Sequence, residues 1–194
     1  MTGRSQASPQ KLDLLAAFLS YLIPGLGQVI QGRILKGIMY FLCLYSLFFY
    51  GLALGELKNV WLPDASELPP VSSPFGGSLS GVPKALYYRP QYLGQFWIGV
   101  AAWPAIIQYR YTEPPPEPGQ RPAPTRLFGH FMQAPSELEM NVLLRNSNKL
   151  WDLGWVYTVI AGALNLLVIY DALAGPVIRE EEISHPGKNS ESAT

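Results

Sequence analysis

One cysteine and two histidines among 194 residues exclude several chemistries at the outset. Cys43 alone cannot close an internal disulfide or build a cysteine-based zinc cluster. Its apolar neighbours, Leu42 and Leu44, suit a packing or lipid-facing thiol. His130 and His185 have no His or Cys partner at zinc-ligand spacing, and no H-E-x-x-H occurs. A G-x-S-x-G nucleophile elbow and a G-x-x-x-x-G-K-[ST] phosphate loop are also missing. Charge is scarce: 14% of residues are charged, against roughly 25% in soluble domains. The formal net charge is zero, which gives no electrostatic case for nucleic acid or a strongly charged substrate. These absences lead to the expectation of no catalytic set, no metal and no cofactor, and of a protein that is not an enzyme.

Apolar residues, by contrast, are abundant and unevenly spread. They make up 48% of the chain while the mean hydropathy is only +0.12, so they must be concentrated. Four windows approach the length of about 20 residues that crosses a bilayer as a helix. Residues 14–32, 37–55 and 90–109 carry no charge, and neither do residues 153–170, which end at Asp171. A soluble core helix would show a polar residue every three or four positions, and the second window shows almost none. The expected fold is all-α, an integral membrane protein with four transmembrane helices. Pro104 interrupts the third window and Gln95 and Gln108 dilute it, so an interfacial or re-entrant piece is the alternative there. Tyr92, Tyr109, Trp151, Trp155 and Tyr170 bracket the last two windows, as rings at headgroup level do. Arg4 and Lys11 before the first window, with Gly25 and Gly27 after it, outline a signal peptide, but the uncharged run continues through Gln28-Val29-Ile30-Gln31-Gly32.

The stretch Ile23 to Ile38 decides the architecture. From Leu12 to Ile23 a helix spans only about 18 Å, short of the roughly 30 Å hydrocarbon core. Either the helix continues through Pro24 with a kink to about Ile30, or it turns back inside the membrane. Proline removes a backbone donor and clashes with the preceding turn; Gly25 and Gly27 permit a bend and a close helix approach. With the next helix beginning about Arg33 to Lys36, the spacing predicts an antiparallel hairpin of spans at about 13–31 and 36–55, with both cations at its tip. Pro24-Gly25-Leu26-Gly27-Gln28, then Gly32, then Lys36-Gly37-Ile38 resembles the P-G-L-G-Q…G…K-G pattern of small bacterial membrane proteins. It is similar to the two-helix hairpin of TM2-domain proteins, with Gly-Arg-Ile at 32–34 where that turn carries an Asp-Arg-Phe-like triplet. Residues 152–176 are similar to the closing helix of an uncharacterised bacterial membrane family that carries a domain of unknown function. The resemblance implies a multi-pass protein of the bacterial inner (plasma) membrane with a cytoplasmic hairpin tip, and it implies no catalytic residues.

The remaining segments read as connections. A polar N-terminal segment covers 1–12, a Pro/Gly-rich loop 56–89, and a Pro-rich linker 110–135 of polyproline type. A short amphipathic helix is expected over 136–150, with Ser136 as N-cap and Glu137 and Glu139 in its first turn. It leads to the fourth span at 152–173 and a polar, disordered tail at 176–194. Four spans would leave seven Lys and Arg on each side, so the positive-inside rule does not orient that arrangement. Polar residues inside the windows are the place to look for function: Gln28 and Gln31, three apart on one helical face, Gln95 and Asn165. They either line a path for a solute or ion, or bond between helices, the reading we favour. Asp171 and Asp152 read as solvated boundary charges. The expected function is a non-enzymatic accessory or scaffold component whose partners are the lipid bilayer and a second copy or another membrane protein, with no nucleic acid. The alternative is a subunit of an oligomeric small-solute transporter or channel.

Overall fold

The computed structural model describes residues 12–74, 76–113, 117, 120–146 and 149–175. Among these residues there is no strand; two isolated bridges pair Ser72 with Ser78 and Thr125 with Gly129. The helices are α1 (Leu14–Leu22), α2 (Leu26–Ile30), α3 (Ile34–Leu54), α4 (Gly81–Tyr88), α5 (Gln91–Phe96), α6 (Trp103–Tyr111), α7 (Glu137–Asn146) and α8 (Leu150–Ala174), with a 3-10 turn at Val100–Ala102 before α6.

The first apolar window does not form one helix. Asp13 starts α1 by accepting the Ala16 amide at 3.0 Å, the usual role of an N-cap carboxylate. The helix stops at Ile23, held extended at φ −137° and ψ 118°, the conformation a following proline imposes. Gly25 then turns the chain at φ 86°, and α2 runs back along α1. The return is tight because Gly27 lies where a Cβ would strike the Ala16 carbonyl, and at Gly25 one would strike the Gly37 carbonyl of α3. Gln31 ends beside Asp13, its Nε2 donating to Oδ2 at 3.2 Å. Of the two courses open for this stretch, the chain takes the turn back. Arg33 and Lys36 therefore lie at the α2–α3 junction, at the same end as Asp13. The expected hairpin of two spans, 13–31 and 36–55, is replaced by a half-depth helical hairpin followed by one long helix.

The third window breaks in the same manner from the other end. α5 ends near Trp97, Gly99 turns the chain at φ 85°, and α6 runs back. Pro104 falls in the first turn of α6, where its missing N–H would have had no helical partner; it starts a helix rather than kinking one. Tyr92 of α5 donates its hydroxyl to the Ala102 carbonyl at 2.8 Å, tying the two arms. The tips of the two broken helices meet: a Cβ on Gly99 would strike the Tyr21 carbonyl, Trp103 Nε1 donates to Tyr21 Oη at 3.3 Å, and the Tyr21 ring packs against Phe96 and Trp97.

Among the described residues only α3, with 21 residues, and α8, with 25, are long and apolar enough to cross a membrane. Where four helices of that kind were expected there are two among the described residues, because Gly25 and Gly99 each fold a window of the required length back on itself. α3 and α8 pack antiparallel through facing glycines: a Cβ on Gly51 or Gly154 would lie 2.7 Å from the carbonyl of the other. The buried stripe of α8, Gly154, Thr158, Ala161, Gly162, Asn165, Val168 and Ala172, recurs at steps of three and four, as one helical face requires.

The connectors at the α3-to-α8 end are folded, which corrects their reading as a loop and a linker. Val60, Leu62, Ala85, Ile98, Ala102 and Met132 are buried in one cluster with Phe48 and Leu52 of α3. Lys84 donates to the Ala65 and Leu68 carbonyls at 2.7 Å each. Ser136 and Glu139 exchange side chain-to-amide bonds at the start of α7, the reciprocal capping box. Glu139 also meets Arg121 at 3.0 Å and Lys58 at 3.5 Å. Most of the proline run, the N-terminal segment before Leu12 and the tail at 176–194 lie outside the described residues. The glycine contacts are open to test by thermal unfolding. Gly154→Leu should destabilise by about 3 kcal/mol through overpacking against α3. Gly32→Ala, at φ 81° but facing open space, should cost about 1–2 kcal/mol from backbone strain alone.

Candidate functional site

A helix that stops inside a protein leaves carbonyls without partners in its last turn. Here two broken helices stop inside a bundle, and polar side chains gather where they stop. At the first end the Asp171 carboxylate accepts from Lys36 Nζ at 2.6 Å, Arg33 Nη2 at 2.9 Å and Gln28 Nε2 at 3.1 Å. Gln28 Nε2 also donates to the Val168 carbonyl at 2.8 Å. Its Oε1 accepts from Ser20 Oγ, which in turn accepts the Gly27 amide. Gln31 Nε2 donates to the Ala172 carbonyl at 2.7 Å. Two glutamines and two cations thus fasten the α2–α3 junction to the last turns of α8, where positive charge complements the helix dipole. The ion pairs are about a quarter to a third exposed, so each contributes within the ~1 kcal/mol of surface pairs; the buried glutamine bonds fix the geometry. At Asp13 the Ala16 amide, then the Gln31 side chain, hold the carboxyl below its usual range. That contribution is present above the ordinary carboxylate pKa and is lost as pH falls through the lowered value.

At mid-depth Asn165 Nδ2 donates to the Ser20 carbonyl at 3.2 Å and the Trp97 carbonyl at 2.8 Å. A single amide clamps the tips of both broken helices to α8. One and two turns toward the other end, Gly94 lies against Gly162 and Gln95 Nε2 donates to Thr158 Oγ1 at 2.8 Å and the Asn59 carbonyl at 3.1 Å. Asn59 Nδ2 donates to the Gly51 carbonyl of α3 at 2.9 Å. Ser20, Gln28, Asn59, Gln95, Thr158 and Asn165 are all 0% exposed, so the row is sealed from solvent in this conformation. Each of its amides donates to a main-chain oxygen, Gln28 and Gln95 to a side-chain oxygen as well, while Asn59 Oδ1, Gln95 Oε1 and Asn165 Oδ1 are left without a partner.

The row itself consists of amides and hydroxyls, groups that donate and accept hydrogen bonds. Among the described residues no group of three or more His, Cys, Asp and Glu could hold a metal ion. His130 Nδ1 bonds Gln133 Oε1 at 2.7 Å, Cys43 is exposed, and His185 lies outside the described residues. A cavity of about 100 Å³ in the folded connectors is lined by Asp64, Glu67, Glu113 and Glu137 together with Gln108 and Tyr109, away from the polar row.

The residues singled out in the sequence fall into place unequally. Pro24 ends α1; Gly25, Gly27 and Gly37 form backbone contacts; Leu26 opens α2; Gly32 supplies the left-handed link to α3; Lys36 pairs with Asp171. Gln28, Gln31, Gln95 and Asn165 stand in one row along the bundle. Asp171 is corrected from a solvated boundary charge to the partner of Arg33, Lys36 and Gln28. Ser20, Asn59 and Thr158 escaped notice, because a hydroxyl or amide inside an apolar run carries no signal until a broken helix is placed against it. Asn165→Leu should leave the Ser20 and Trp97 carbonyls without donors, at about 1–3 kcal/mol each. Asp171→Asn should cost less, since Arg33 and Lys36 are partly exposed and Gln28 keeps its bond to the Val168 carbonyl. Unfolding midpoints in one detergent would rank the two.

No curated protein and no solved structure matches the chain. A family model does match, over residues 15–184, the stretch containing both broken helices, both long helices and the folded connectors. The chain belongs to this family, described as a family of unknown function (DUF6677).

Proposed function

We propose that the protein is a multi-pass component of a bacterial inner membrane, not an enzyme, acting as an accessory or scaffold subunit. The observation that carries this reading is that the buried amides bond main-chain carbonyls, Asn165 at the two helix breaks and Gln28, Gln95 and Asn59 elsewhere along the bundle, which leaves the polar row without a reactive group. Membrane placement draws support from the outer faces of the long helices. Only 28% and 33% of their most apolar stretches is buried, whereas the core helix of a water-soluble protein is mostly covered. Leu35, Leu42 and Phe49 of α3 and Leu167 of α8 stand 84%, 57%, 51% and 66% exposed. A water-soluble surface rarely leaves so much contiguous apolar area bare. Irregular backbone at membrane depth is tolerated where protein covers it, which is the work of Asn165, Gln28 and Gln95. The P-G-L-G-Q…G…K-G residues support the TM2-like comparison at the level of a basic, glycine-packed junction.

Two spans also change the orientation argument. Residues 55–149 become a single segment on one side, too long for its interior charges to count. Close to the spans it offers Lys58, Arg145 and Lys149, against Arg33, Lys36, Arg179 and Lys188 at the other end. Three against four favours a cytoplasmic Arg33–Lys36 junction with the folded connectors outside. The alternative, a subunit of an oligomeric solute transporter or channel, draws support from one feature: broken helices that meet from opposite ends, as in carriers that bind solutes at mid-depth. Gln28, Gln31, Gln95 and Asn165 would then line its closed state.

Cysteine accessibility in a Cys43→Ser background separates these topologies. Arg126→Cys should react with an impermeant thiol reagent in intact cells, and Leu35→Cys only after permeabilisation. Equal access to both would return the four-span arrangement, which puts them on one side. For the function, purification in mild detergent should recover a partner protein or a homo-oligomer, and proteoliposomes should show no solute flux above empty vesicles. A lone monomer that conducts would reverse the assignment.

A further inference from the structure

Arg89 carries a charge that no described carboxylate balances. Its guanidinium lies 3.8 Å from the centre of the Trp61 ring, and Nη2 donates to the Asn59 carbonyl at 2.9 Å. The ion pairs among the described residues use Asp171 and Glu139, and no carboxylate stands within 4 Å of Arg89. Two donors here are buried without a partner, Arg89 Nε and Trp61 Nε1. A buried cation left unpaired is costly, and burial pushes the Arg89 pKa down to about 9. The group is therefore still charged at neutral pH, and what it lacks is an anion.

Its position says which anion. Asn59, which Arg89 holds, is itself bonded to Gly51 in the last turn of α3, so the guanidinium sits where the apolar run of α3 ends. Tyr87 and Tyr88 precede it at the end of α4 and Leu93 follows in α5, all exposed. An arginine stacked on a tryptophan beside exposed tyrosines, at the end of an apolar helix, is at headgroup depth. Guanidinium N–H groups match phosphate oxygens in a fork that ammonium groups do not reproduce.

We propose that Arg89 and Trp61 form a binding site for a phosphate ester anion, supplied by a phospholipid headgroup on the side of the folded connectors. Arg89 Nε–H and the Trp61 indole N–H are the donors left free for it, and the guanidinium supplies the charge. Bound lipid at this point would seal the junction between α3, the start of α5 and the connectors. The site rests on the membrane reading above, and the two can fail separately.

The full chain, purified in mild detergent and stripped of lipid, would be titrated with dioctanoyl-phosphatidylglycerol and, in a second arm, with inorganic phosphate. Native mass spectrometry reports bound lipid, and the unfolding midpoint reports both ligands. The expected result is saturable lipid binding that Arg89→Gln weakens by about tenfold or more, the loss of charge-assisted bonds. Trp61→Phe, which keeps the stacked face and removes the indole donor, should weaken it by a smaller factor. Arg126→Gln, an exposed cation elsewhere, should leave it unchanged, and inorganic phosphate should not shift the wild-type midpoint. A midpoint shift by inorganic phosphate that needs Arg89, without lipid binding, would overturn the headgroup as the source. If Arg89→Gln does not fold, Arg89→Lys and Trp61→Phe carry the comparison. Equal lipid binding by wild type and these variants overturns the site while leaving the membrane placement standing. A chain that stays monodisperse without detergent overturns that placement first.

Discussion

A main-chain carbonyl taken out of water must find a donor, and most of this structure follows from that requirement. Two of its four apolar windows are cut by a glycine in a left-handed conformation, and each cut frees the carbonyls of a helix end deep in the bundle. Asn165 answers both cuts with one amide, on Ser20 and Trp97. Gln28 and Gln31, from the second arm of the first broken helix, donate to the Val168 and Ala172 carbonyls in the last turns of α8. In a low-dielectric interior an unmet carbonyl costs more than a good bond contributes, so these amides act as conditions of folding.

Glycine supplies the complementary constraint. The broken helices are short, at nine residues or fewer, and short helices bury little side-chain area. They hold their places by backbone approach instead: Gly27 on Ala16, Gly25 on Gly37, Gly94 beside Gly162, Gly99 on Tyr21, Gly51 on Gly154. Close approach brings dispersion contacts and directs the amides at their carbonyls, so packing and hydrogen bonding are one arrangement. Charge is held to the two ends. Asp171 collects Arg33 and Lys36 at one, and Arg89 stands on Trp61 at the other, leaving the length between them neutral.

Several elements were legible before any tertiary structure. Pro24 followed by Gly25 marks a disturbance of the first helix, a kink or a turn back, since proline disfavours helix at the preceding residue and glycine tolerates positive φ; only the structure chose the turn. The apolar runs of α3 and α8 are uninterrupted, and their lengths alone mark them as able to cross a bilayer. Ser136 with Glu139 signals the start of α7. Less could be read at the third window, where Pro104 looks like a kink and is in fact a helix start; the break is at Gly99, which nothing local distinguishes from a glycine inside a helix such as Gly94. The folded connectors were illegible because Val60, Leu62, Ala85 and Met132 are scattered singly among polar and proline residues, and only their convergence makes a core.

Composition and local pattern by themselves determined that this chain is helical and carries apolar runs of membrane-crossing length, but they marked four such runs where the structure has two long helices. These are properties of single segments, governed by periodicity, proline and glycine geometry, and the residue types available. The tertiary structure alone decided that the first and third windows fold back, that their tips meet at Asn165, that Asp171 is a partner rather than a boundary, and that Arg89 lacks one. A carbonyl or a charge takes its meaning from what stands opposite it across the bundle, and the Asp13 amide bonds the Leu173 carbonyl from the far end of the chain.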